Sequence, residues 1–211
     1  MNRRIGLWSA ALATLATVGF ALSMALTWDQ PFAGWTYGIC MMLAWSYLVM
    51  VCSLAAVARE PTRAAAFAGI GFAVLYAGFV TTVYFIQLTT VLHGSAAPDI
   101  MTQLSYSALG GLVFNLELLG YGLMAISTAF VGLCITVSGR SDRWLRGLLI
   151  GHGLFAPFCI AAPITGVFGR MPASTGNGFA IIALTAWCAY FAPTMALAYR
   201  HFLVMPNKAD E

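Results

Sequence analysis

The sequence predicts an all-α membrane protein, a single transmembrane domain over residues 1–211 that forms a six-transmembrane-helix bundle with both termini cytoplasmic. Two observations predict this fold class. Of the 211 residues, 61% are apolar and 8% are charged, whereas soluble domains carry roughly 25% charged residues. The apolar residues also form six runs, each longer than the ~20 residues that a helix needs to cross the hydrocarbon of a bilayer.

The six runs are separated by connectors that carry the turn-forming and helix-breaking residues. The predicted spans are residues 5–26, 35–58, 64–92, 108–137, 144–168 and 179–202. The third and fourth are longer than crossing requires, which predicts that they tilt, bend or project from the membrane. Pro157 and Pro163 in the fifth span, and Pro193 in the sixth, predict bends, because proline removes a helical hydrogen bond.

The basic residues predict the orientation, since cytoplasmic loops are enriched in Lys and Arg. With the N-terminus inside, the inner set holds nine residues: Arg3, Arg4, Arg59, Arg63, Arg140, Arg143, Arg146, Arg200 and Lys208. The outer set holds Arg170 alone. The net charge of +3 therefore reflects membrane orientation and does not indicate a nucleic-acid partner.

The N-terminus also fits a second interpretation. Arg3 and Arg4, the apolar run that follows and the small-x-small triplet Ser23-Met24-Ala25 resemble a cleaved secretory signal peptide. The run over residues 5–26 exceeds a usual signal-peptide core, which favours an uncleaved first span. Cleavage would leave five spans in the same orientation.

Glu117 is the main candidate for a functional residue, because it is the only acidic side chain inside a long apolar segment. A carboxylate at such a position is costly and is usually paired, protonated or turned to a wet cavity. Counted at 1.5 Å per residue from Arg140, Glu117 lies about 34 Å from the inner end. Counted in the same way from Arg63, Tyr84 and Gln87 lie at about 31 and 36 Å. Glu117 and Gln87 therefore share a depth in the outer third of the membrane.

Helical phase adds neighbours to this depth level. Tyr121 follows Glu117 by four residues and shares its face, and Tyr76, Tyr84 and Gln87 share one stripe of the third span. We therefore predict an outward-facing cavity with a rim and a floor. Its rim carries Glu117, Gln87, Tyr84 and Tyr121, and its floor carries Tyr76, Trp45 and Trp187. The alternative is that the aromatic residues fill the core while Glu117 reaches to the outer interface.

Two further polar residues are predicted to act apart from Glu117. Asn115 lies about 160° around the helix from it and is expected to bridge to another helix. His152, counted from Arg146, lies only about 9 Å above the inner side, which is some 25 Å from Glu117. His93 and His201 are expected at the interfaces, and histidines at three levels argue against a metal or haem site.

The remaining chemistry is limited. Five cysteines are scattered without a CxxC pair, so no metal site and no cofactor is predicted. Lys208 is the only lysine, which excludes a retinal-type Schiff base within a span. The sequence also lacks P-loop, HExxH and GxSxG motifs.

Residues 83–89 (VYFIQLT) and 117–124 (ELLGYGLM) resemble a pattern found in uncharacterised bacterial six-helix integral membrane proteins. The resemblance covers two of the six spans. It implies a multi-pass protein of the bacterial inner (cell) membrane, with no activity or site to transfer.

Three functions are compatible with these residues. The first is binding or transport of a small amphipathic or cationic molecule, with Glu117 supplying charge and the aromatic residues supplying surfaces that favour cations. The second is an intramembrane enzyme of the cyclase or isomerase type that acts on a lipid or isoprenoid, with Glu117 as general acid and Tyr121 or Tyr84 as its partner. The third is a structural or accessory membrane subunit.

The predicted partners are membrane lipids, the small ligand and a second copy of the chain through glycine-rich faces such as Gly147–Gly151.

Overall fold

The computed structural model of the protein describes residues 1–26, 34–106, 109–171 and 173–205, with only the backbone described for residues 173–180. Lys208, assigned above to the basic side, and Ala108, the predicted start of the fourth span, lie outside these residues. Eight α-helices form the described chain: α1 Asn2–Leu26, α2 Gly34–Ala55, α3 Arg63–Ile86, α4 Pro98–Leu104, α5 Leu112–Cys134, α6 Arg140–His152, α7 Phe155–Ile164 and α8 Ala173–Val204. No strand occurs among the described residues, so the predicted all-α class is confirmed.

Six stretches of the described chain are helical, long enough and apolar enough to cross a membrane, as the sequence predicted. Four are α1, α2, α5 and the part of α8 from Ile181 to Val204. The stretch Glu60–Val91 joins a 3-10 turn, α3 and a π-helical segment over Gln87–Val91. The stretch Arg140–Ile164 combines α6 and α7.

The fifth predicted span is two helices, which corrects the expectation of one bent helix. The break falls at Gly153 and Leu154, immediately before α7. A proline ring clashes with the carbonyl group four residues earlier, and for Pro157 that carbonyl belongs to Gly153. Pro163 and Pro193, in contrast, lie within α7 and α8.

The long helices close into a ring that follows the order of the sequence. α1 packs on α2, α2 on α3, α3 on α5, α5 on both α6 and α7, α6 on α8, and α8 returns to α1. We call the end that carries Arg3, Arg63 and Arg140 the basic end, and the other the far end. The predicted connector over residues 93–103 contains α4, which lies at the far end and begins with Pro98 in its first turn.

Polar contacts at the basic end hold both α1 and α6 against α8. The guanidinium group of Arg3 donates to the carbonyl oxygens of Phe202 (2.8 Å) and Leu203 (2.7 Å) in the last turn of α8. The carboxylate of Asp142 pairs with Nδ1 of His201 at 2.8 Å and accepts the backbone N–H of Ser138 at 2.9 Å. His201 is therefore buried, because α6 brings Asp142 against the last turn of α8. Its predicted position at the level of a membrane interface stays a prediction.

Close helix approach depends on glycines, although not on the pair that the sequence suggested. A Cβ added to Gly132 of α5 would lie 2.8 Å from Cγ1 and 3.0 Å from the backbone nitrogen of Ile150 in α6. A Cβ added to Gly151 would lie 3.0 Å from the hydroxyl of Tyr190, whereas one added to Gly147 would meet nothing within 4 Å. The Gly147–Gly151 pair therefore contributes one glycine to packing within the described bundle.

Candidate functional site

The carboxyl group of Glu117 is held by Tyr84 where α3 meets α5, and Tyr84 in turn contacts Tyr121. The hydroxyl of Tyr84 donates to Oε1 of Glu117 and lies 3.2 Å from the hydroxyl of Tyr121. The helices approach closely here because Gly120 follows Glu117 by three residues. A Cβ at Gly120 would lie 2.9 Å from Cγ2 of Val80, so a larger residue would separate the tyrosine from the carboxyl group.

Tyr106 stands on the other side of this carboxyl group. Its hydroxyl is buried beside Glu117. Its ring stacks on Tyr37 at a centroid distance of 5.9 Å. Burial, and after it the charge of Glu117, raise the pKa of the Tyr106 hydroxyl well above its ordinary value. Tyr106 therefore stays protonated and available as a donor near the carboxyl group.

A cavity of about 420 Å³ opens next to Glu117, between α5, α6, α7 and α8. Apolar and aromatic side chains supply most of its lining. The lining residues are Leu109, Phe114, Glu117, Leu118, Tyr121, His152, Leu154, Phe155, Phe158, Cys159, Phe168, Ala183, Leu184, Ala186 and Trp187. The volume lies within the range of about 300–1,000 Å³ typical of small-molecule sites.

At the far end of the cavity, the ring of Phe168 packs against Phe114 at a centroid distance of 5.0 Å. A Cβ added to Gly110 would lie 3.0 Å from the backbone nitrogen of Gly169. Gly110 also has a φ of 78°, which other residues rarely adopt. The turn before α5 thus lies directly against the segment after α7, at the far end of the cavity.

His152 and Trp187 line the cavity and are hydrogen-bonded to each other. The indole N–H of Trp187 donates to Nε2 of His152 at 2.9 Å, so Nε2 carries a lone pair and the imidazole is neutral. The ring proton then lies on Nδ1, which donates to the hydroxyl of Thr128 at 2.9 Å, while that hydroxyl donates to the carbonyl oxygen of Ala125 at 2.8 Å. Both ring nitrogens therefore form hydrogen bonds within the protein, and the imidazole lines the cavity with the surface of its ring.

Glu117 carries the only acidic side chain among the residues that line the cavity. Its Oε1 accepts from Tyr84, the hydroxyl of Tyr106 lies beside the same carboxyl group, and the residue keeps accessible surface. The hydroxyl of Tyr121 is engaged by Tyr84, and Cys159 contributes only a weakly polar thiol. No salt bridge among the described residues reaches Glu117.

Three of the predicted site residues line this cavity: Glu117, Tyr121 and Trp187. Tyr84 lies behind them, where it binds the carboxyl group without lining the cavity. Tyr76 is fully buried under Tyr121, with a centroid distance of 5.9 Å, and its hydroxyl has no partner among the described residues.

The structure places Gln87 and Trp45 away from the cavity. Gln87 is buried, and its amide donates to the carbonyl oxygen of Leu104 at 2.7 Å, which ties the π-helical segment to α4. Trp45 is 51% exposed and donates to the hydroxyl of Thr81 at 3.0 Å. It lines a separate surface groove with Arg4 and other residues of α1 and α2. Depth counting had grouped Trp45 with Trp187, but depth does not fix the direction in which a side chain points.

His152 lies closer to Glu117 than the sequence suggested, since both line one cavity. The depth count for His152 began at Arg146, but α6 begins at Arg140, so Arg146 is already about 9 Å into the helix. The count for Glu117 treated residues 135–139 as helical, whereas α5 ends at Cys134. The first error increased the apparent separation. The described residues show no hydrogen bond between the two side chains.

Asn115 turns back on its own helix instead of bridging to another. Its amide nitrogen donates to the carbonyl oxygen of Gly110 at 2.8 Å, and its Oδ1 is buried without a partner among the described residues. It therefore fixes the turn before α5.

Four phenylalanines of the lining could not be predicted from the sequence, since they stand among many similar apolar residues. They are Phe114, Phe155, Phe158 and Phe168. Among the described residues, no three His, Cys, Asp or Glu side chains come together as metal ligands. No family model matches the chain, and neither the curated proteins nor the solved structures contain a significant match.

Proposed function

We propose that the protein spans the bacterial inner membrane six times, with its basic end in the cytoplasm, and binds or transports a small amphipathic molecule whose cationic head pairs with Glu117. Six helices of spanning length and the concentration of basic residues at one end support the membrane arrangement. The resemblance over residues 83–89 and 117–124 supports the choice of membrane.

One observation carries the choice of ligand. The cavity is lined mostly by apolar and aromatic side chains, and Glu117 is the one acidic residue of that lining. A ligand with one polar group and an apolar body matches this lining. A cationic head is favoured because no positively charged side chain among the described residues pairs with the carboxyl group. The faces of Tyr121 and Trp187 add a surface that attracts cations.

Calorimetric titration of the purified protein with 4-phenylbutylamine and with the matched alcohol 4-phenylbutanol tests this proposal. Hydrogen bonds to charged groups contribute about 1.5–3 kcal/mol, so Glu117→Gln should weaken amine binding by roughly 10-fold to 150-fold and affect the alcohol less. Trp45→Phe is the matched control, since Trp45 lies outside the cavity, and should leave both affinities unchanged. Equal amine affinity in the wild type and in Glu117→Gln would refute the proposal.

The second candidate is an intramembrane enzyme that acts on a lipid or isoprenoid. The chain of hydrogen-bonded groups from Glu117 through Tyr84 to Tyr121 favours it, because Tyr121 lines the cavity and can exchange a proton with the carboxyl group through Tyr84. Product analysis after incubation with isoprenoid and phospholipid substrates tests it. Conversion that Tyr84→Phe abolishes would support this candidate over simple binding. The role of an accessory subunit stays a prediction, which co-purification with a partner tests.

A further inference from the structure

We infer that the cavity opens sideways, between α7 and α8, into the hydrocarbon of the bilayer, and that its ligand is a single-chain amine dissolved in the membrane. The amine head lies at Glu117 and the chain leaves through the opening, which we call the α7–α8 cleft. The identity of the head rests on the proposed function, whereas the cleft rests on the geometry that follows.

The packing of the bundle leaves this side open. α7 packs against α5, and α6 packs against α8, but among the described residues no comparable packing joins α7 to α8. Near the basic end α6 packs on α8, and the described residues show no such packing where α7 continues the span. The cavity fills the space between α7 and α8, since both helices contribute to its lining.

The lining residues on both sides of this space are exposed on the outer surface of the bundle. On α7 and the residue before it, Leu154 is 81% exposed, Phe158 47% and Phe155 36%. On α8, Ala183 and Ala186 are exposed as well. A side chain that lines a cavity and also lies on the outer surface marks the mouth of that cavity.

The mouth lies at the level of the hydrocarbon. Phe155 follows Arg140 by 15 residues and Ala186 precedes Arg200 by 14, so both lie roughly 21–23 Å above the basic end. The hydrocarbon of a bilayer is about 30 Å thick. Apolar residues at this level face lipid chains, whereas the Phe114–Phe168 contact covers the far end of the cavity.

The cavity also accepts one chain. Its volume of about 420 Å³ equals the volume of roughly 14 water molecules, at the ~30 Å³ that each occupies in the liquid. A ligand chain with a larger volume fits only when its end extends through an opening. Small residues on the α8 side, Ala183 and Ala186, leave room for such a chain beside Phe158.

Quenching of Trp187 fluorescence by lipids brominated on their acyl chains tests the cleft in reconstituted vesicles of phosphatidylcholine. Trp187 is only 7% exposed, so bromine atoms reach it only if acyl chains enter the cavity. The Trp187 signal is the difference between wild type and Trp187→Phe, and the Trp45 signal, from Trp45→Phe, is the lipid-facing reference. We expect brominated lipid to quench the Trp187 signal by at least half as much as the Trp45 signal. If Trp187→Phe does not fold, a variant that keeps Trp187 as its single tryptophan gives the same measurement.

Octadecylamine tests the single-chain ligand in the same vesicles. It should release most of the quenching of Trp187, because its chain replaces the lipid chain in the cleft, and octadecanol should release less than one fifth as much. Glu117→Gln should keep the quenching by brominated lipid and lose its release by the amine.

The outcomes separate the two proposals. A Trp187 signal that brominated lipid leaves unchanged would overturn the cleft, even if 4-phenylbutylamine binds. Quenching without release by octadecylamine would uphold the cleft and overturn the single-chain amine. Equal release in the wild type and Glu117→Gln would overturn the role of the carboxyl group in both proposals.

Discussion

At the scale of single residues, the contacts of Glu117 show how this fold holds a carboxyl group among apolar side chains. A buried polar group without a partner is costly, and one hydrogen bond offsets part of that cost. Tyr84 supplies that bond to one oxygen and thereby restrains the carboxyl group of a residue that lines the cavity. The same tyrosine connects Glu117 to Tyr121, so its hydroxyl supports two of the residues that line the site.

The hydroxyl of Tyr84 should therefore contribute to stability, and that of Tyr76 should not. Tyr84→Phe removes a donor to a carboxyl group and should lower the free energy of unfolding by about 1.5–3 kcal/mol. Tyr76→Phe removes a buried hydroxyl that has no partner among the described residues and should be neutral or slightly stabilising. Reversible unfolding by SDS in mixed micelles measures both. Equal destabilisation by the two variants would contradict the assigned hydrogen bonds.

His152 should be neutral and carry its proton on Nδ1. Trp187 can only donate, so its bond to Nε2 requires a lone pair there, and the hydroxyl of Thr128 accepts from Nδ1. Solution NMR of protein labelled with ¹⁵N-histidine distinguishes the two tautomers, and the spectrum of His152→Asn identifies the signal. We expect a protonated Nδ1 at neutral pH. A protonated Nε2 would show that the Trp187–His152 contact is wrongly assigned.

At the scale of helices, the positions of glycines decide where two helices come together. Gly132 lies against the backbone of α6, whereas Gly147 points to open space. Neither position could be distinguished from sequence, because both are glycines in apolar or amphipathic helices. The Gly147–Gly151 motif attracted attention by its spacing, but the closest approach of α5 and α6 uses Gly132 instead.

This contrast gives a matched pair of alanine substitutions. Gly132→Ala forces a methyl group against the backbone of Ile150 and should destabilise the protein by about 1–3 kcal/mol. Gly147→Ala has room for the methyl group and should stabilise α6 by up to about 1 kcal/mol, since alanine favours helices. SDS unfolding midpoints compare them. If Gly147→Ala is instead destabilising and lowers the oligomer fraction in crosslinking, Gly147 contacts a second copy of the chain, as the sequence prediction proposed.

At the scale of the whole molecule, the helices were predictable and the cavity was not. Apolar runs of spanning length and the breakers between them determine where helices lie, and each of the six predicted runs overlaps one of the six spanning-length helical stretches of the described chain. The break at Gly153 was harder to place, since Pro157 also fits a simple bend. Depth counting brought Tyr84 to Glu117, because α3 and α5 are close neighbours, and helical phase added Tyr121. Depth counting failed for Gln87 and Trp45, because it does not give the direction in which a side chain points. It failed for His152 because the count began inside α6 and not at its first residue.

The proposed orientation of the whole molecule rests on the charge at its two ends. Arginines at the basic end, such as Arg3, Arg63 and Arg140, outnumber the single Arg170 at the far end, and loops rich in Arg stay in the cytoplasm.

Alkaline phosphatase, which is active only outside the cytoplasm, reports this orientation in a bacterial host when it is fused after Gly94 at the far end or after Gly139 at the basic end. We expect activity from the Gly94 fusion, none from the Gly139 fusion, and fluorescence from a green fluorescent protein attached at the C-terminus. The reverse pattern would place the basic end outside and refute the proposed topology. Removal of the first span as a signal peptide would leave all three results unchanged, and N-terminal sequencing of the purified protein would reveal it separately.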